Sequence, residues 1–128
     1  MALNVLVVDD SSVMRSMIIK TLRLCGVDLS EVHEASNGQE GLAILRDHWV
    51  DLALIDINMP VMNGEQMIEH IKSNPDTEDL AVIVVSTESS ETRIDKLLDK
   101  GVQFIHKPFT PETLREIILT TVGGLDEQ

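Results

Sequence analysis

Five short apolar runs recur along the chain, and each is followed by a segment with the residue spacing of an amphipathic helix. Three of the runs, VLVV, LALI and AVIVV, contain no polar residue, as expected for parallel strands that are covered on both faces. The pattern predicts strands at residues 4–8, 31–35, 51–56, 81–86 and 102–106.

Apolar and small residues at intervals of three and four predict the first helix, which ends before Gly26. Its apolar stripe is expected to comprise Val13, Met17, Thr21 and Leu24, with Met14, Ile18 and Cys25 beside it. The second helix is predicted to begin at Asn37, because Glu40 follows three residues later with the spacing of a capping box.

Three further helices are delimited by turn and capping residues. They are predicted at residues 64–72, at residues 91–100 before Gly101, and from Pro111 onward with Thr110 as the cap. The fourth helix is expected to bury Ile94, Leu97 and Leu98. The fifth is expected to bury Leu114, Ile117, Ile118 and Thr121.

The alternation of strands and helices predicts a single (βα)5 domain over residues 1–128. Short links between a strand, a helix and the next strand imply right-handed crossovers and a parallel sheet with helices on both faces. Five units are too few for a closed eight-stranded barrel. We therefore expect an α/β doubly wound sheet of five parallel strands in the flavodoxin-like order 2-1-3-4-5, with its ligand crevice at the carboxyl ends of the central strands.

The composition excludes several classes of function. The net charge of −12 at pH 7 opposes binding to nucleic acids and to anionic membranes. Aromatic residues make up only 2% of the chain, so stacking platforms for bases or for a flavin ring are nearly absent. The single cysteine, Cys25, excludes an intrachain disulfide. Together with the lack of a signal-peptide or membrane-span pattern, it favours a cytoplasmic location.

Chemically active side chains follow four of the predicted strands. Asp9 and Asp10 follow the first strand, Asp56 ends the third, Ser86 ends the fourth and Lys107 follows the fifth. Because the carboxyl ends of parallel strands meet at one edge of the sheet, we expect these groups to converge. Each residue taken alone has a structural explanation, as a helix cap, a turn residue or a surface lysine. Their joint occurrence at four strand ends indicates a site.

Three clustered carboxylates require a bound proton or a divalent cation, because like charges about 4 Å apart repel by about 4 kcal/mol at an effective dielectric constant of about 20. A site of oxygen ligands with room for water suits Mg²⁺. A carboxylate beside Mg²⁺ can attack a phosphoryl group and form an acyl phosphate. In such a site Lys107 would neutralise one phosphoryl oxygen and Ser86 would donate a hydrogen bond to another.

Four segments resemble the motifs of the receiver domain of two-component response regulators, and in particular of stand-alone chemotaxis-type (CheY-like) receivers. The segments are VVDDSSVMR at residues 7–15, LIDINMPVMNG at 54–64, VIVVSTE at 82–88 and GVQFIHKPF at 101–109. They occur in the family's order on the elements expected to carry them. The resemblance extends from residue 3 to about residue 122.

The resemblance implies a role for each residue at the strand ends. Asp56 matches the phosphoacceptor, and Asp10, Asp56 and the backbone carbonyl of Asn58 match the direct ligands of Mg²⁺. Asp9 matches a position that acts on the ion through water. Lys107 matches the lysine that pairs with the phosphoryl group, next to a proline with which it is expected to form a cis peptide bond.

The resemblance also implies a switch. Ser86 matches the switch hydroxyl, where Thr is commoner, and Phe104 matches the switch aromatic, where chemotaxis prototypes have Tyr. Asn58, Thr87 and Glu88 match positions that tune the lifetime of the acyl phosphate. Thr87 stands where the family usually has Ala or Gly, so we expect it to restrict access to Asp56.

The implied partners are a sensor histidine kinase, which donates the phosphoryl group, and a target protein. The target would bind the surface formed by the fourth helix, the fifth strand and the fifth helix. The protein is expected to be a monomer that contacts neither nucleic acid nor membrane, and to assist its own phosphorylation and dephosphorylation without being a turnover enzyme. Chemotaxis or motility is the expected process, and a phosphorelay intermediate is the alternative among receivers.

Two other classes of protein compete with a receiver. A haloacid-dehalogenase-type phosphohydrolase also uses an Asp nucleophile with Mg²⁺, but needs a second Asp where this chain has Asn58. A flavodoxin-like electron carrier needs a hydroxyl- and Gly-rich phosphate loop after the first strand, where this chain has Asp9 and Asp10.

Two further residue types have structural interpretations. Trp49 is expected to be partly buried. The four histidines lack metal-ligand spacing along the chain and are interpreted as structural or surface residues; they are His33, His48, His70 and His106.

Overall fold

The computed structural model describes residues 2–87 and 90–126, which form one five-stranded parallel sheet flanked by helices. The strand order is β2-β1-β3-β4-β5, as the sequence predicts. The strands are β1 (Leu3–Val8), β2 (Leu29–Ala35), β3 (Leu52–Ile55), β4 (Ala81–Ser86) and β5 (Gln103–His106). Every neighbouring pair is parallel, so the carboxyl ends of the four strands that were expected to carry chemistry lie at one edge.

Five helices alternate with the strands, and polar side chains cap their N-termini. Ser11 accepts a hydrogen bond from the backbone of Met14 at 3.1 Å, and Asn37 accepts one from Glu40 at 2.9 Å. Glu40 itself reaches back to Ser36 and not to Asn37, so the predicted capping box is only half formed. The helices are α1 (Ser12–Leu24), α2 (Gly38–Asp47), α3 (Gly64–Ser73), α4 (Glu91–Leu98) and α5 (Pro111–Asp126).

Two apolar cores cover the faces of the sheet. Val5 and Val7 of β1 point to one face, which α1 and α5 cover, and Leu6 and Val8 point to the other, which α2, α3 and α4 cover. This alternation follows from the two-residue period of a strand. Because both faces are dry, the central strands are apolar throughout, and their polar groups are left at the strand ends.

The predicted apolar stripe of α1 is wrong. Val13 is 70% exposed, Met17 57% and Leu24 65%, whereas Ile18 and Leu22 are buried against the sheet. Of the three residues predicted beside the stripe, Ile18 and Cys25 are buried, Cys25 at 5% exposure, and Met14 is half-buried. Leu22, which the prediction did not name, completes the buried face. The exposed stripe leaves an apolar surface on α1 that the described part of the chain does not cover.

Two other burial predictions also fail. Trp49, expected to be partly buried, is 78% exposed and donates a hydrogen bond from Nε1 to Asp51 at 3.0 Å. On α4, Leu97 is buried as predicted, but Leu98 is 43% exposed. The predicted boundaries of the elements agree with the structure to within about two residues.

One basic residue of α4 and one in the turn after it form ion pairs with α3. Arg93 pairs with Glu65 through a hydrogen bond of 3.0 Å from Nε, and Lys100 pairs with Glu69. These contacts connect α4, which borders the predicted switch, to the helix that follows the loop after Asp56. Among the helices of the described residues, none has the length and apolar character needed to cross a membrane.

Candidate functional site

Three aspartates converge at the carboxyl ends of β1 and β3. Asp9 and Asp10 follow β1, and the backbone N–H of Asp56, directly after β3, donates to the carbonyl of Val8 at 2.9 Å. One carboxylate oxygen from each aspartate lies within 4.8 Å of the other two. Asp9 is buried, Asp56 is half-buried and Asp10 is exposed, so the cluster opens to solvent on the side of Asp10.

Lys107 lies between two of these carboxylates. Its Nζ is 3.2 Å from Oδ2 of Asp9 and 3.7 Å from Oδ1 of Asp56. The backbone N–H of Lys107 donates to the carbonyl of Ser86 at 2.9 Å, which fixes the start of this side chain against the end of β4. The peptide bond between Lys107 and Pro108 is cis, as the resemblance implies.

Both carboxylate oxygens of Asp9 already have a partner. Oδ1 accepts the backbone N–H of Ser11 at 2.9 Å, and Oδ2 faces Lys107. The carbonyl of Asp9 accepts a hydrogen bond from Arg15 at 2.6 Å, and Arg15 in turn pairs with Glu34 at 3.0 Å. Asp10 and Asp56 therefore present the freer oxygens, which agrees with an indirect role for Asp9 at an ion.

The electrostatics of Asp56 favour a bound cation. Burial raises the pKa of this carboxyl above its ordinary value, and the charges of Asp9 and Asp10 raise it further. The ammonium group of Lys107 acts in the opposite direction and lowers the pKa. A divalent cation would relieve the repulsion among the three carboxylates, and a donor set made only of oxygens fits Mg²⁺. Asn58, whose carbonyl is the third expected ligand, lies in the exposed loop after Asp56.

The loop that carries Asn58 is anchored by close backbone contacts. Gly64 donates its N–H to the carbonyl of Ile57 at 2.8 Å, and a Cβ atom at Gly64 would lie only 2.3 Å from the carbonyl oxygen of Asp56. The N–H of Gly38 donates to the carbonyl of Met62 at 2.9 Å, from the first turn of α2. Only a residue without a side chain permits the approach of Gly64 to the acceptor aspartate.

Sequence reasoning missed two residues that support the site. Gly64 was treated only as the start of a helix, although the Asn-Gly pair at the end of the LIDINMPVMNG segment marks a tight approach. Arg15, the last residue of VVDDSSVMR, holds the backbone of Asp9. No periodic pattern identifies Arg15, because the carbonyl of Asp9 that it contacts lies outside the helix that carries Arg15.

The two predicted switch residues lie on neighbouring strands. Ser86 is 1% exposed at the end of β4. Phe104 is half-buried on β5 opposite Val84, packs against the core on the α4 side, and meets the ring of His106 edge-on at 4.7 Å between centroids. The structure thus brings the predicted hydroxyl and aromatic to adjacent strands at the border of α4.

The structure describes two of the three residues that are predicted to tune the acyl phosphate, Asn58 and Thr87. Thr87 is exposed and lines an apolar cavity of about 300 Å³ with Met17, Lys107 and Phe109, on the side of α1. Glu88, the third predicted tuning residue, lies outside the described residues.

A protein-family model matches most of the chain. The response regulator receiver domain model matches residues 5–119, which include Asp9, Asp10, Asp56, Ser86 and Lys107.

Individual proteins are similar over nearly the whole chain. A chemotaxis protein CheY homolog of Campylobacter jejuni is 37% identical, over 94% of this chain and 93% of its own length. The chemotaxis protein CheY1 of Helicobacter pylori is 36% identical, over 97% of this chain and 100% of its own length. The solved structure of CheY4 of Vibrio cholerae superposes with a TM-score of 0.82 at 30% identity, and covers 94% of this chain and 99% of its own.

Proposed function

This chain belongs to the family of response regulator receiver domains, and we propose that it is a signalling switch controlled by phosphorylation of Asp56. One observation carries the assignment of the acceptor. Asp56 is half-buried at the end of β3, has Lys107 3.7 Å away, and shares a cluster of three carboxylates. An acid in this position has a cationic partner ready for a phosphoryl oxygen and a cluster able to hold a divalent ion.

In the proposed reaction, an oxygen of Asp56 attacks the phosphorus of a phosphohistidine in a sensor kinase. A new P–O bond forms while the P–N bond breaks, and the electron pair of that bond leaves on the imidazole nitrogen. When bound by Asp10, Asp56 and the carbonyl of Asn58, Mg²⁺ would neutralise charge on the transferred group. Lys107 would then pair with a phosphoryl oxygen, and Asp9 would support the ion through water.

The chain's own residues also account for the proposed output. A phosphoryl group adds nearly two negative charges and three acceptor oxygens at Asp56. Ser86, at the end of the neighbouring strand, would donate to one of these oxygens and move its loop inward. Phe104 would turn into the space vacated under α4, and the surface of α4, β5 and α5 would report the change to a target protein.

The surroundings of Asp56 support a protein as the phosphodonor. Val13 and Met17, two of the exposed apolar residues of α1, lie three and seven residues after Asp10 along the chain. Met17 also borders the cavity lined by Thr87 and Lys107. The apolar surface of α1 is therefore continuous with the rim of the site. We propose that Thr87 slows the approach of small donors, and that Asn58 and Glu88 tune the lifetime of the acyl phosphate.

Similarity to chemotaxis proteins supports a role in chemotaxis or motility. We propose that the protein acts in the cytoplasm as a monomer, without direct contact to nucleic acid or membrane. Asn58 stands where a phosphohydrolase would need its second aspartate, so we propose a switch and not a turnover enzyme. A phosphorelay intermediate is the second candidate, and profiling of phosphotransfer against the histidine kinases of the source organism would separate the two.

The acceptor is tested by phosphorylation with a small acyl-phosphate donor, followed by intact-protein mass spectrometry. We expect one added phosphoryl group on the wild type in Mg²⁺, and none after removal of the ion. Asp56→Asn keeps the shape but removes the nucleophile, so it should stay unlabelled, whereas Asp76→Asn, at an exposed position, should label like the wild type. Equal labelling of Asp56→Asn and wild type would show that the acceptor is misassigned.

A further inference from the structure

A second group of metal-binding side chains lies on the edge strand β2 and at the end of α2. Ligand atoms of Glu31, His33 and His48 all lie within 4.8 Å of one another. We propose that these three side chains form a transition-metal site, with Zn²⁺ as the ion that suits them best. This site is separate from the aspartate cluster and does not depend on the proposed phosphorylation.

The topology explains why these residues meet. Glu31 and His33 are two residues apart on β2, and Oε2 of Glu31 lies 3.2 Å from Nε2 of His33. His33 pairs with Leu6 of β1, whose side chain lies in the core on the α2 side. His48 caps the C-terminus of α2 and donates its backbone N–H to the carbonyl of Ile44 at 2.9 Å, which brings its ring back toward β2. The two imidazole centroids are 4.5 Å apart.

An unsatisfied nitrogen points to a missing ligand. Nε2 of His33 is buried and makes no hydrogen bond within the described residues, although Oε2 of Glu31 lies 3.2 Å away. Buried polar atoms are normally paired, because leaving one unpaired is unfavourable. A metal ion bound at Nε2 would satisfy this atom, and Glu31 offers Oε2 beside it.

The donor set selects the class of ion. Two imidazole nitrogens and one carboxylate oxygen suit Zn²⁺, Cu²⁺ or Ni²⁺, whereas Mg²⁺ prefers oxygen ligands only. Ligand atoms around tetrahedral Zn²⁺ lie about 3.3 Å apart. Glu31 and His48 are exposed and free to rotate inward by the remaining distance, while His33 is held by the sheet. Three protein ligands leave a fourth position for water, and the ion would tie the end of α2 to β2.

The chain carries its own reporter for this site. Trp49 is the only tryptophan in the sequence and follows His48 directly. Its position before β3, with Asp56 after that strand, places the indole and the acceptor aspartate at opposite ends of the sheet. A paramagnetic ion such as Cu²⁺ quenches tryptophan fluorescence only at short range, so quenching of Trp49 distinguishes this site from the aspartate cluster.

The test is a titration of the full chain with Zn²⁺ in saturating Mg²⁺. Calorimetry measures the binding of Zn²⁺, and thermal unfolding measures the change in the unfolding midpoint. We expect one equivalent of Zn²⁺ to bind and to raise the midpoint. His48→Gln and Glu31→Gln alter exposed side chains, so both should fold and both should weaken binding by about tenfold or more. His70→Gln, an exposed histidine on α3, is the matched control and should bind like the wild type.

Fluorescence gives the second readout. Cu²⁺ should quench Trp49 in the wild type and in His70→Gln, and should do so much less in His48→Gln. The proposal is wrong if the wild type binds no Zn²⁺ in the presence of Mg²⁺, since Glu31, His33 and His48 are then only neighbouring side chains. It is equally wrong if His48→Gln binds Zn²⁺ as tightly as the wild type.

Discussion

Nζ of Lys107 lies 3.7 Å from Oδ1 of Asp56, within the range of an ion pair but beyond that of a hydrogen bond. The same atom is nearer to Asp9, at 3.2 Å from Oδ2. The unphosphorylated protein thus holds its lysine between two carboxylates. A phosphoryl group on Asp56 would offer Lys107 a stronger partner without a large movement of its backbone, which is tied to Ser86.

Removal of this lysine should destabilise the protein in the absence of Mg²⁺. The side chain of Asp9 is 2% exposed, so Lys107→Met would leave a buried carboxylate without its cation. We expect a loss of about 3 kcal/mol in the free energy of unfolding at neutral pH, measured by urea denaturation. Saturating Mg²⁺ should restore part of the loss. Lys20→Met, an exposed position on α1, is the control, and equal stability of the two variants would contradict the ion-pair argument.

The stability of Asp56→Asn should depend on pH. Because the pKa of Asp56 is raised in the folded state, ionisation of this carboxyl opposes folding at neutral pH. Without Mg²⁺ we expect Asp56→Asn to be more stable than the wild type at neutral pH. As the pH falls through the raised pKa toward the unfolded value, the wild-type carboxyl takes up its proton and the difference should vanish. Thermal unfolding of both proteins across this pH range measures the difference in stability.

Two controls belong to the pH experiment. Asp76→Asn, whose side chain is exposed, should show no such pH-dependent gain. Added Mg²⁺ should reduce the advantage of Asp56→Asn, because the ion stabilises the ionised wild-type cluster. An advantage that persists unchanged at low pH would mean that burial of the charge is not its cause.

Gly64→Ala should distort the acceptor. An added Cβ would lie 2.3 Å from the carbonyl oxygen of Asp56, a backbone atom that cannot move independently. We expect a loss of about 1–3 kcal/mol in stability and a lower rate of phosphorylation. Gly41→Ala is the matched helical control, because its Cβ would meet the terminal methyl group of Met67, which can rotate away. Urea midpoints that fall by the same amount in both variants would refute the proposed role of Gly64.

Ser86→Ala should separate phosphorylation from its output. The hydroxyl is buried at the end of β4, and the proposed mechanism uses it only after the phosphoryl group has arrived. Asp56 should therefore still accept the group, while the backbone amide shifts of α4, β5 and α5 should move less than in the wild type. Ser86→Thr keeps the hydroxyl and should preserve the coupling. If the shifts of phosphorylated Ser86→Ala match those of the wild type, another group links the site to the surface.

The candidate site was predictable because the carboxyl ends of parallel strands lie at one edge of the sheet. Asp9, Asp10, Asp56 and Lys107 needed only the strand order to be brought together, and the order follows from the alternation of strands and helices. Their roles at an ion and a phosphoryl group remain predictions. The position of Glu88 lies outside the described residues and remains untested.

The buried face of α1 was decided only by tertiary packing. Its sequence carries two apolar stripes, and periodicity alone does not say which of them faces the sheet. The packing of α1 on the sheet buries Ile18 and Leu22 and leaves Val13 and Met17 exposed. Helical spacing fixes which residues share a face, whereas the direction of that face depends on residues far away in the chain.

The histidines show more clearly that local sequence patterns do not predict contacts between distant residues. His33 and His48 are fifteen residues apart, with no spacing typical of metal ligands, and the sequence classed them as structural or surface residues. They meet because α2 crosses β2 on the face to which His33 points, and because His48 ends that helix. The sequence by itself determined the elements, their order and the chemistry at the strand ends, since these depend on local periodicity. The contact between His33 and His48 was decided by the tertiary structure, because only the packing of a helix on a sheet brings such distant residues together.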